Sequence, residues 1–195
     1  AIDSAAQNNL TLYGDAKVSN TQSKFGGTSI YFDGTGDYAT YANAAPLGSG
    51  DWTIETFVYV DSFTANRALF QYGQADGSLG AMFTTDGKFR VLRSNVSSDL
   101  ITSTTFSADT WYHLAIVYYN GVMKVYINGT ADTTTYTTST AWTFTETTAI
   151  IGARYYSSGY QVPMDGYLDD FRISHTARYT ANFTAPTEPF PDKGQ

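Results

Sequence analysis

The chain has 195 residues, no cysteine, a formal charge of -7, 16% aromatic residues and only 15% charged ones. That length suits one domain, and the aromatic content with a charged fraction well under the usual quarter or so predicts a sizeable core rather than disorder. Missing cysteine removes disulfides, thiol catalysis and thiolate metal sites, while the acidic balance disfavours nucleic acid and anionic lipid and leaves neutral, cationic or metal partners.

No stretch approaches the roughly 18 consecutive apolar residues of a membrane helix, and no basic-then-apolar leader opens the sequence, so membrane insertion is not expected. The first residue is Ala1 rather than methionine, as in a processed product or an excised fragment.

In chain order, the first informative segment runs Phe25-Gly26-Gly27-Thr28-Ser29-Ile30-Tyr31-Phe32-Asp33-Gly34-Thr35-Gly36-Asp37-Tyr38. It reads as a short apolar strand that carries carboxylates, and a carboxylate against an apolar face must be paired, hydrogen-bonded or bound to a cation. Trp52 to Val60 follows with period-2 alternation and two largely covered faces. Asp86-Gly87 predicts a turn between Ala81-Met82-Phe83-Thr84 and Phe89-Arg90-Val91-Leu92. Asn120-Gly121 predicts a type I′ hairpin between Trp111–Tyr119 and Val122–Ile127, because both turn positions need positive φ.

The threonine tract from Asp132 to Thr148, interrupted by Tyr136, Trp142 and Phe144, reads as an extended surface strand or long loop. Gly166-Tyr167-Leu168-Asp169-Asp170-Phe171-Arg172-Ile173 is a second strand with carboxylates, a candidate to meet the first. Its alternation places Tyr167, Asp169, Phe171 and Ile173 on one face, with Leu168, Asp170 and Arg172 on the other. From Thr176 the chain turns polar, with Pro186, Pro189 and Pro191, like a strap or a linker. Residues 1–180 are expected to form the domain and 181–195 the strap or linker. Short strands with such turns, and no helical periodicity, predict an all-β sandwich or jelly roll.

The ordered set Phe25-Gly26-Gly27, Ile30 to Gly34, Asp37-Tyr38, Asp51 to Glu55, Trp111 to Ala115, Val125 to Gly129 and Gly166 to Ile173 resembles the laminin-G-like, concanavalin-A-like jelly-roll domains over roughly residues 20 to 180. Ala177-Arg178-Tyr179 and Phe183-Thr184 resemble the variants of phage virion proteins and large secreted bacterial proteins. The resemblance implies two packed antiparallel sheets, a binding or adhesive role and, often, one calcium ion. Family members usually carry a further apolar strand ahead of the segment matching Asp3-Ser4, so a neighbouring chain could supply one along an open sheet edge.

Calcium takes six to eight oxygens, and Asp33, Asp37 and Asp169 or Asp170 are the candidates to hold one and so tie the two ends of the chain together. Turn-shaping by Asp33 and Asp37, with Asp170 paired to Arg172 or Arg154, is the alternative. Carbohydrate binding is expected from aromatic residues on loops: Arg154, Tyr155, Tyr156 and Tyr160 in one segment, and Trp142 in the threonine tract. Tyrosine as ordinary packing material is the alternative there.

An enzyme is not expected. Glu55, Glu146 and Glu188 are scattered, adjacent Asp169 and Asp170 point to opposite faces, and glycoside hydrolysis needs two facing carboxylates. His113 and His175 sit in no metal or triad motif, and Gly34-Thr35-Gly36 precedes no helix and lacks the lysine of a P-loop. The expected role is a structural or adhesive domain of a larger extracellular assembly, a virion or bacterial surface protein, contacting copies of itself, other chains or host glycans. A secreted carbohydrate-binding module once attached to an enzyme is the alternative.

Overall fold

The computed structural model describes residues 10–74, 78–93, 99–138 and 142–191. Alternation and turn chemistry produce sixteen strands among them: β1 (Thr11–Tyr13), β2 (Lys17–Ser19), β3 (Ser29–Asp33), β4 (Tyr38–Ala42), β5 (Trp52–Val60), β6 (Arg67–Tyr72), β7 (Leu79–Phe83), β8 (Lys88–Arg93), β9 (Asp99–Thr105), β10 (Trp111–Tyr119), β11 (Val122–Ile127), β12 (Thr130–Thr137), β13 (Thr148–Ile151), β14 (Arg154–Tyr156), β15 (Gly159–Gln161) and β16 (Asp165–Ser174). They build two seven-stranded antiparallel sheets, ordered β1-β4-β13-β6-β7-β8-β9 and β12-β11-β10-β5-β16-β3-β2, with β14 and β15 as a separate hairpin. This is the concanavalin-A-like jelly-roll sandwich.

Strand β5 shows why two layers form. Trp52, Ile54, Val58 and Val60 point inward to one continuous core with Phe32, Phe70, Phe83 and Phe89, all nearly solvent-free. The alternate residues Glu55 and Phe57 are also buried, because the C-terminal segment lies over the outer face of that sheet. Ala115, Val117 and Tyr126 of this face pack against Ala177, Tyr179 and Phe183. The Phe183 amide donates to the Gly129 carbonyl at 2.9 Å, and the Phe190 amide donates to Asp170 at 2.8 Å. The predicted strap is thus seated on the sheet, on both sides of residue 180.

Asn120 and Gly121 have φ of 48° and 77°, so the Asn-Gly turn forms as its chemistry requires. The Asp86-Gly87 turn differs. Four residues separate β7 from β8, the Thr84 amide donates to the Lys88 carbonyl, and of that pair Gly87 alone takes positive φ, at 72°.

In the threonine tract, β12 forms a sheet edge, but Trp142 and Phe144 turn into the core. A neighbouring strand ahead of Asp3-Ser4 concerns a region outside the described residues.

A tyrosine stack as candidate functional site

Strand β4 sends Ala39 into the core and Tyr38 outward. In the β1–β4 ladder Tyr13 stands opposite Tyr38, and the two rings stack at 4.5 Å with 9° between their planes. Tyr160, from the separate hairpin, stacks on Tyr38 at 3.9 Å and 17°. Tyr155 meets the edge of Tyr160 at 5.3 Å. Four tyrosines from four strands therefore form one array on the outer side of the first sheet, with Tyr13 at its end and 40% exposed.

Each ring is fixed by its neighbours. The fully buried Asp37 carboxylate accepts from the Asp15 amide at 2.6 Å and from the Asp33 amide at 2.9 Å, locking the turns that precede β2 and β4. Gln71 holds the hairpin down, accepting from the Tyr155 amide at 3.2 Å while donating to the Gly73 carbonyl at 2.9 Å. Arg154 donates to the Tyr156 hydroxyl at 2.8 Å. The Tyr160 hydroxyl accepts from the Gln74 amide at 2.9 Å. Burial, then the neighbouring Tyr160 and Tyr13, push the Tyr38 hydroxyl pKa up. Beside Tyr160 lies a small cleft of about 50 Å³ lined by Gly36, Gln161 and Pro163. Ring faces with amides and hydroxyls alongside are what a sugar needs: C–H groups stack on the ring while the hydroxyls find partners.

The predicted residues divide. Tyr155 and Tyr160 belong to the array, and Tyr156 stands beside it under the Arg154 guanidinium, 4.9 Å from the ring centre. Arg154 itself is only 6% exposed; it is an internal brace and not a sugar contact. Trp142 is also corrected. It is 5% exposed, stacked with Tyr118 and edge-on to Phe144, and the hydrophobic gain of burying so large a ring overrides its polar neighbours in sequence. Nothing in the sequence pairs Tyr13 with Tyr38, which the β1–β4 register brings together, although Tyr13-Gly14-Asp15 and Gly36-Asp37-Tyr38 both set a tyrosine beside glycine and aspartate.

The four aspartates do not converge. Strands β3 and β16 do pair, but Asp165 faces Asp33, and Asp169 lies four positions further along. Asp37 and Asp169 are satisfied by main-chain N–H groups, Asp169 by those of Lys24 and Phe25 at 2.8 and 3.0 Å. Asp170 accepts from Phe190. A shared calcium needs its ligands in one coordination shell, whereas these carboxylates are spread along the β3–β16 ladder and each serves a nearby main-chain amide. Among the described residues no three acidic or imidazole groups gather to hold a metal, so the residues do not fit a shared ion.

Comparison with known proteins places these features. The family model for the laminin G type of the concanavalin A-like lectin/glucanases superfamily matches residues 33–182. No curated protein matches the chain. Among solved structures, domain 4 of AbnA, a GH43 extracellular arabinanase from Geobacillus stearothermophilus in complex with arabinotriose, superposes with a TM-score of 0.66 at 16% identity, covering 86% of this chain and 82% of that one. The binding domain of botulinum neurotoxin DC in complex with SialylT gives 0.63 at 12% identity, over 88% of this chain but only 44% of the toxin domain. Domains LG4-5 of the mouse laminin alpha1 chain give 0.57 at 15%, over 80% of this chain and 46% of theirs. At these identities the likeness is one of fold.

Proposed function

The chain belongs to the laminin G-type family of the concanavalin A-like lectin/glucanases superfamily, and we propose that it is a non-catalytic, glycan-binding adhesive domain that works outside the cell. The observation that carries this reading is the Tyr13–Tyr38–Tyr160 stack: aromatic rings aligned on a rigid sheet, with amide and hydroxyl groups beside them. The arabinanase domain and the neurotoxin domain, each solved with a saccharide ligand, support a sugar as the partner. A place in a larger extracellular assembly, such as a virion or a bacterial surface, fits the exposed threonines of edge strand β12, which offer hydroxyls and few charges to a neighbouring chain.

A non-catalytic role is supported by how the buried carboxylates are used. Asp37 holds two turns, and Glu55 and Asp132 are each surrounded by donors. None is left free to act as a proton donor or nucleophile.

Affinity electrophoresis through arabinan, other neutral polysaccharides and glycoprotein glycans tests the proposal. Retention on at least one, without release of reducing sugar, is expected. Tyr13→Ala, which removes the exposed ring at the end of the array, should weaken that retention about tenfold, the worth of one aromatic stacking contact, and Tyr38→Ala should also weaken it by removing the ring on which Tyr13 is stacked. Free migration on every matrix, or retention indifferent to both substitutions, would remove the stack as the site. The secreted-module alternative rests on the arabinanase domain being matched over most of its length. It predicts a monomer, where assembly predicts self-association in the same buffer.

A further inference from the structure

Between the strap and the β10–β11 hairpin, on the outer face of the second sheet, lies an open cleft of about 280 Å³ lined by Val117, Tyr119, Asn120, Lys124, Tyr126 and Tyr179, among others. It is well separated in the fold from the tyrosine array, which belongs to the other sheet. Its floor is apolar, since Val117 and Tyr126 are almost fully buried. One wall is Tyr179, pinned at its hydroxyl by Glu55 at 2.9 Å and on its ring by Phe183 at 3.6 Å and 7°. At the mouth stand Tyr119, 43% exposed, and Asn120 at the hairpin tip, with Thr180 opposite.

The anomaly is Lys124. It projects from the middle of β11 onto this apolar floor, half-buried, and among the described residues it has no ion pair and no hydrogen bond. The chain has 18 acidic residues against 11 basic ones, yet among the described residues none forms an ion pair with it. An anion entering the cleft would meet this ammonium without having to displace an ion pair, and a charge-assisted hydrogen bond there would be partly shielded from water by the apolar floor. The neighbouring rings specify more than a charge. Tyr119 and the outer side of Tyr179 offer apolar surface of the kind that stacks on pyranose rings, above the buried Tyr126 and with an amide and a hydroxyl at the rim.

We propose that this cleft is a second binding site, specific for a sugar residue bearing a carboxylate, whose acid group pairs with Lys124 while its ring lies against the tyrosines. The charge complementarity selects an acidic sugar over a neutral one. The site is independent of the tyrosine stack and would stand if that array bound nothing.

The test titrates the full chain, observed by NMR, with glucuronate-, galacturonate- and sialate-containing oligosaccharides and with their neutral counterparts. Expected are shifts at Lys124, Tyr119 and Tyr126 with at least one acidic oligosaccharide, an affinity about tenfold above its neutral counterpart, and a fall in that preference as salt rises. Lys124→Gln should abolish the preference and Lys124→Arg retain it, with melting temperatures confirming that both variants fold. The proposal is overturned if no acidic oligosaccharide shifts the cleft residues, if acidic and neutral forms bind there equally, or if Lys124→Gln leaves the preference intact. Shifts confined to Tyr13, Tyr38 and Tyr160 would support the stack and overturn the cleft.

Discussion

Glu55 gathers two arginines, a histidine and a tyrosine around one carboxylate. Its carboxylate is fully buried on the outer face of β5, accepting from Arg172 at 2.8 and 2.9 Å and from the Tyr179 hydroxyl at 2.9 Å, with Arg178 and His113 each at 3.2 Å. Burial alone would raise its pKa, but the hydrogen bonds from His113, Tyr179 and Arg172 and the Arg172 charge outweigh that and hold it below the ordinary 4.5. Glu55→Ala should cost about 3 kcal/mol in denaturant unfolding, because it leaves two half-buried arginines and the buried His113 and Tyr179 hydroxyl without their shared acceptor. The depressed pKa makes this contribution complete above about pH 4.5 and lost as pH falls through the lower folded value. Wild-type stability should therefore drop as pH falls below about 4.5, and the Glu55→Ala curve should be flatter over the same range. An equal drop in both would show that other acids dominate. In the sequence Glu55 read only as one of three scattered glutamates, and nothing local announced its partners, which lie 58 to 124 positions away. Trp142 was obscure for the same reason. Its threonine neighbours describe a surface, and its place in the core is set by Tyr118, 24 positions away.

At the scale of elements, local chemistry was legible wherever a turn imposed it and obscure wherever a strand changed phase. Asn120-Gly121 announced its hairpin because few other residue pairs accept two positive φ values. Strand β16 concealed a bulge. Its register against β5 shifts between Asp169 and Arg172, with Asp170 at φ 51°, so one residue is absorbed and alternation reverses. Leu168 packs inward before the bulge, and Phe171 and Ile173 after it. Asp169 therefore leaves the apolar company that plain alternation gave it and turns to the Lys24 and Phe25 amides. The strap depends on a comparable local device. Gly129 has φ 84°, and a Cβ there would overlap the Phe183 carbonyl that its own carbonyl-to-amide bond holds close. Gly129→Ala should thus lift the strap as well as strain the turn, costing about 2 kcal/mol or more. Hydrogen exchange should report it as lost protection at the Phe183 amide, with β3 and β6 unchanged. Protection retained at Phe183 would mean that the strap accommodates the methyl group.

On the scale of the whole molecule, the question is where the folding unit ends. Composition suggested a boundary near residue 180, since the prolines and polar residues beyond it resemble a linker. Yet Phe183 stacks on Tyr179, and Phe190 packs against Phe57 and His113 with the Arg172 guanidinium 4.0 Å from its ring centre. Asn182 accepts from the Ala131 amide at 2.9 Å. These contacts cover a sheet face on which Phe57, His113 and Val117 are otherwise apolar and open, a patch of the kind that drives association. A chain ending at Thr180 should therefore lose part of the burial of two aromatic rings, about 2–4 kcal/mol, and melt about 5–15 °C lower by calorimetry. It should also bind a hydrophobic dye that the full chain ignores. Proline helps here, because Pro186, Pro189 and Pro191 limit the freedom of the detached strap and lower the entropy lost when it docks. Since Tyr179 is held between Glu55 and Phe183, the same truncation should loosen the wall of the Lys124 cleft while leaving the Tyr13–Tyr38–Tyr160 stack on the opposite sheet in place. An unchanged melting temperature would return residues 181–191 to the status of a linker and place the boundary where composition alone had drawn it.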